Sequence, residues 1–98
     1  MLDDFLYRMT TMYRETVQVT LVNGSHLMGI LSDMGEDAIE LEDVFFGGTS
    51  SWEKVLAPKV VIEKHAIMLA FIASAESIDY VQQNAAAYCT VLPELHKH

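Results

Sequence analysis

The chain reads as a mainly β domain with a helix at each end. Three observations predict this. Apolar residues at 2, 5, 6, 9, 12 and 13 fall on one face of a helix. From Thr16 to Ser74 the pattern changes to short alternating runs separated by Gly, Asn and Asp. After Ser74, apolar residues return at steps of three and four. At 98 residues this is one small domain. It divides into an N-terminal helix over 1–15, a barrel of five strands over 16–74, a C-terminal helix over 75–92 and a tail over 93–98.

Asp3 and Asp4 stand where the first helix begins, beside its positive end. From Thr16 to Val22, Val17, Val19 and Leu21 take one face while Gln18 and Thr20 take the other, as in a half-buried strand. Asn23-Gly24 then predicts a tight hairpin with both residues at positive φ. A second strand is expected over 25–33, with Gly29 placed for a sharp bend. Asp33 to Asp37 reads as the next turn, and Ala38 to Phe46 as a third strand with Ile39, Leu41 and Val44 inward. Gly47 to Ser51 is a flexible loop by composition, continuing past Trp52 to Pro58. Phe45, Phe46 and Trp52 are expected to pack locally. Two more strands, 59–64 and 66–73, are joined tightly around Lys64 and His65. The second is apolar on both faces, so both need cover. Ser74 or Ser77 caps the last helix, whose seam is Ile78, Val81, Ala85, Tyr88 and Leu92, and Pro93 ends it.

Composition narrows the function. The single Cys89 excludes an intrachain disulfide and fits a reducing cytoplasm. Acidic Asp3 and Asp4 oppose a secretory leader. The longest apolar run, 66–73, falls far short of the roughly 20 residues that span a bilayer, so no membrane partner is expected. A hydrophobic content of 51% exceeds what one small barrel needs and points to burial between subunits. The net charge of -8 opposes broad phosphate binding, so any nucleic-acid contact has to be local.

Leu21 to Gly29, with Glu63-Lys64-His65-Ala66-Ile67 some forty positions later, resembles the Sm-like family, and within it the bacterial host factor Hfq. The likeness covers roughly residues 5–73. It implies an Sm-like fold: a strongly bent, SH3-like five-stranded barrel behind an N-terminal helix, here with an added C-terminal helix. Asn23, Gly24 and Gly29 fall at its structural turn and bend positions. It also implies a homo-oligomeric ring zipped through the last two strands of each copy, with RNA in the pore. Lys64 and His65 match the family's Lys-His pair, which contacts uracil edges and phosphates, while Met34 and Asp37 occupy the turn that carries its stacking residue.

Several positions depart from that pattern. Asp37 replaces the stacking aromatic, Glu36 the glutamine before it, and Glu63 the arginine of the related Sm turn. Stacking is worth about 1–3 kcal/mol per base, so its loss alone weakens binding by up to about a hundredfold. The resemblance implies first a ring acting in RNA metabolism on single-stranded RNA; the -8 charge with Glu63 and Asp37 gives the alternative, a ring that has lost these contacts and assembles proteins. In the second case, protein partners would dock on the Phe45–Trp52 loop or the C-terminal helix. An enzyme is not expected. His26, His65, His96 and His98 show no metal-ligand spacing with Cys89, and no nucleophile elbow or phosphate loop occurs. Neither cofactor nor metal is implied.

Overall fold

The computed structural model describes residues 4–47 and 51–89. Helix α1 (Asp4–Met9) continues as a single 3-10 turn (Thr10–Met12), and Met9 is buried in the core at 1% exposure. The chain then reverses at Arg14, whose φ of 70° lies in the left-handed region. There the Arg14 N–H donates to the Leu31 carbonyl at 2.8 Å and the Leu31 N–H donates to Glu15 at 3.0 Å, fastening the reversal to the sheet.

Strand β1 (Thr16–Leu21) buries Val17, Val19 and Leu21 completely, as its alternation predicts. The turn to β2 (His26–Met34) differs from expectation in one respect. Only Gly24 takes a positive φ, 92°, so this is not a two-residue turn with Asn23 also left-handed. Leu21 and Ser25 pair through the Leu21 N–H, the Gly24 N–H closes on the Leu21 carbonyl, and the Asn23 carboxamide accepts from the Ser25 N–H. The loop is thus three residues long, ending on a left-handed glycine, and Asn23 serves it through its side chain.

β2 pairs antiparallel with β3 (Ala38–Gly47) through register shifts between Met28 and Ile30 and between Leu31 and Asp33. At the first shift Asp43 adopts φ 52°. Opposite it, a Cβ on Gly29 would lie 2.8 Å from the Glu42 carbonyl oxygen. The bend expected at Gly29 is therefore a bulge that only glycine admits.

The far edge of β3 is shared. Its C-terminal end pairs with β4 (Trp52–Val55) and its N-terminal half with β5 (Lys59–Glu63). The stretch 52–55, expected to be loop, is thus strand. Phe45 and Phe46 across from it supply the pairing that the composition of residues 47–51 hides. Leu56 to Pro58 leave the ladder, consistent with proline lacking an N–H. A 3-10 turn (Lys64–Ala66) leads to β6 (Ile67–Ile72), antiparallel to β1.

Helix α2 (Ala75–Asn84) is capped by Ser74, whose Oγ accepts from the Ser77 N–H at 3.1 Å. Ser74→Ala should cost about 1 kcal/mol, read as a fall in urea midpoint that Ser74→Asp largely restores. The helix ends at Asn84 rather than 92, because Ala86–Cys89 forms β7, parallel to β4. Ala85 is the C-cap, and Tyr88 belongs to the strand. Leu92, Pro93 and the expected tail lie outside the described residues.

The result is one mainly antiparallel sheet in the order β6-β1-β2-β3-β4-β7, with β5 also on β3. Its main core gathers Met9, Val17, Leu27, Leu31, Ile39, Leu41 and Val60 between the strands and the N-terminal segment. A second, smaller cluster lies on the other face, where Ile78 and Val81 of α2 cover Met28 and Phe45. Phe45 and Phe46 therefore face opposite clusters.

Candidate functional site

Three loops meet at one end of the sheet. The Lys64 N–H donates to the Asp37 carbonyl at 2.7 Å, and the Val22 N–H donates to the Ala66 carbonyl at 2.9 Å. The Gly35 N–H closes its own turn on Ala38 at 2.8 Å. Backbone bonds thus hold the Lys64-His65 turn between the β1–β2 and β2–β3 turns, and they bring Lys64, His65 and Asp37 together. A short 3-10 turn suits this junction, since it reverses direction while leaving His65 exposed and Lys64 half-buried.

The electrostatics there are mixed. Glu36, Asp37 and Glu63 are all exposed at this end, and Asp33 is exposed one turn away. Lys59 pairs with Glu40 at 3.5 Å and Lys54 with Asp43 at 3.9 Å. Met34 takes another role: it is half-buried and packs against the main core. With Val61 and Glu40 it also lines a cavity of about 210 Å³ beside β5. The arrangement sets Lys64 and the His65 imidazole among several carboxylates, with no Phe, Tyr or Trp in the Asp33–Asp37 turn.

The sheet edges carry a second feature. Among the described residues β5 pairs only with β3 and β6 only with β1, leaving one side of each ladder open. Val61 on β5 is 65% exposed; on β6, Met68, Leu69, Phe71 and Ile72 are 64, 52, 40 and 49% exposed. The cover expected for both faces of this strand is absent within the described residues of one chain. Sequence reading located these strands, but exposure follows from which neighbour the sheet supplies, and alternation does not encode that.

Among the described residues, no group of three or more His, Cys, Asp or Glu side chains is placed to hold a metal ion. None of the described helices is long and apolar enough to cross a membrane.

No family model matches the sequence, and no curated protein matches it. Among solved structures, the chain is similar to one from "Crystal structure of the NatC complex bound to CoA". The superposition has a TM-score of 0.58 at 16% identity, covering 74% of this chain and 92% of that one. At that identity the likeness speaks to fold alone.

Proposed function

We propose that this chain is an Sm-like subunit that closes into a homo-oligomeric ring and works as a protein-assembly module. The strand order, the bulge at Gly29 and the division of β3 between β4 and β5 support a strongly bent, SH3-like barrel. The observation that carries the reading is the exposed apolar surface at two open edges, β5 and β6; β7 is a third edge strand, on β4. An exposed apolar edge strand promotes uncontrolled association unless something covers it. An edge on β5 and another on β6 allow head-to-tail pairing, which closes into a ring when the rotation per copy permits. The carboxylates around Lys64 favour a protein-assembly role over a nucleic-acid one. Light scattering coupled to size-exclusion chromatography should give a discrete multiple of 11.0 kDa. A lone particle of 11.0 kDa would refute it.

A second reading, single-stranded RNA bound in the pore, is favoured by the backbone bonds that present Lys64 and His65 side by side. Anisotropy of labelled oligouridine and oligoadenine at low salt tests it. If RNA binds there, the Lys64→Ala/His65→Ala pair should weaken it at least tenfold, roughly the loss of one charge-assisted contact. Affinity unmoved by the pair, or undetectable binding to the wild type, leaves the assembly reading alone.

A further inference from the structure

The sheet face opposite the main core is only partly covered by α2, and a cavity of about 410 Å³ opens beside the helix. Its floor is apolar, from Met28 and Val81, each 2% exposed. Trp52 and Tyr80 line it with Glu76 and Gln18. We propose that this groove is a recognition site for an arginine side chain presented by a partner protein.

The geometry gives each wall a part. Trp52 sits directly across the β3–β4 ladder from Gly47. A Cβ on Gly47 would lie 2.8–3.0 Å from three adjacent atoms at the indole ring fusion, so one face of the ring rests on bare backbone. The His26 ring, 6.4 Å away and tilted by 37°, stands beside it. The indole is thereby held against the sheet, packed on the Met28–Val81 cluster, and part of it lines the cavity. Tyr80, 61% exposed, projects a second ring from α2. Aromatic rings attract cations through the negative potential of their faces, indole most strongly.

The charge balance agrees. Among the described residues no cation pairs with Glu76, so its carboxylate is available to a ligand. The N-terminal end of α2 contributes about half a positive charge near Glu76, less than the carboxylate's full negative one. The net -8 of the chain adds long-range attraction for a cation. A quaternary ammonium would leave Glu76 and Gln18 without donors to accept from. A guanidinium supplies planar N–H groups to both, stacks on indole and sheds water more readily than an ammonium. The groove is open to solvent along Tyr80, so the rest of the ligand lies outside it, as a peptide chain would. None of the exposed β5 and β6 residues lines it, so the inference stands apart from ring closure.

Trp52 is the single tryptophan, so its fluorescence, excited selectively over that of the four tyrosines, reports from this groove. The full chain is titrated with acetyl-Gly-Arg-Gly-amide and with the lysine and citrulline versions. A saturable change is expected for arginine, weaker for lysine and absent for uncharged citrulline. Glu76→Gln should weaken binding about threefold to fivefold, the scale of an exposed ion pair. Tyr80→Leu should weaken it about twofold to fivefold, the scale of an exposed cation–π contact. Asp79→Asn, an exposed acid on the same helix outside the groove, should weaken it clearly less than Glu76→Gln, by less than about twofold. No saturable change, an equal response to citrulline, lysine binding as tightly as arginine, or equal losses from Asp79→Asn and Glu76→Gln would each overturn the assignment. Tetramethylammonium binding more tightly than the arginine peptide would overturn it as well. Molecular mass recorded on the same samples keeps this outcome separate from that of the ring proposal.

Discussion

Val61→Asp combined with Met68→Asp is expected to reduce the assembly to a particle of 11.0 kDa while the fold survives. Both side chains are about two-thirds exposed in the isolated subunit, at 65 and 64%. A carboxylate at such a position meets water, and the cost to the subunit is no more than about 1 kcal/mol per site for placing Asp in a strand. In the assembled state the same carboxylates would be buried against an apolar neighbour without a partner. Breaking an interface that way costs about 3–5 kcal/mol per unpaired charge, repeated at each contact of the proposed ring. The two costs differ enough to separate assembly from folding. The measurement is mass by light scattering together with a far-ultraviolet spectrum and a thermal melt. An unchanged oligomer would show that β5 and β6 are not the joining edges. Loss of the folded spectrum along with the oligomer would show that the subunit has no stability of its own.

Gly29→Ala should be strongly destabilising. The added carbon would meet the Glu42 carbonyl oxygen at 2.8 Å and a Val44 methyl at 3.1 Å. Neither can retreat easily. Glu42 pairs with Ile30 on one side and Lys59 on the other, and Val44 is fully buried. Relief requires opening the bulge that turns β3, so a loss of about 3 kcal/mol is expected, the upper end of overpacking costs. For a domain of this size that corresponds to a fall of more than about 10 °C in melting midpoint. Gly35→Ala is the control. Its Cβ would find only the Ala38 carbonyl at 3.8 Å, and the change should lie within about 0.5 kcal/mol of neutral. Both are best compared in the Val61→Asp/Met68→Asp background, where assembly does not contribute to the midpoint. Similar midpoints for the two alanine variants would remove the bulge from the account of the fold.

Local pattern carried much of the architecture. The alternation of Val17, Val19 and Leu21 and the inward set Ile39, Leu41 and Val44 recur as fully or almost fully buried positions. Ser74 caps the last helix, and the two strands flanking Lys64 and His65 stand where expected. Two strands were not legible. β4 begins at Trp52, directly after a Gly- and Ser-rich run, and exists because β3 offers it a ladder. β7 is written in Ala-Ala-Tyr-Cys, which continues a helical pattern as easily as it forms a strand, and its pairing with β4 ends the helix early. The Asn23-Gly24 turn was legible in place but not in kind, since a left-handed Gly24 alone satisfies the loop once Leu21 and Ser25 pair.

The candidate sites divide in the same way. Lys64, His65 and Asp37 were singled out from the sequence, and the backbone bond from Lys64 to Asp37 joins them across 27 positions. The Trp52–Tyr80 groove was not foreseen, because its residues come from four separate elements, β1, β2, β4 and α2, that share no local pattern.

By itself, the sequence determined which strand residues turn inward and where the chain turns or bends, at Asn23-Gly24 and Gly29 among them. Those are properties of neighbours along the chain, set by side-chain period and by the φ each residue tolerates. The tertiary structure decided which ladders close, which edges stay open and which distant side chains share a cavity. Those depend on contacts made only once the sheet has formed.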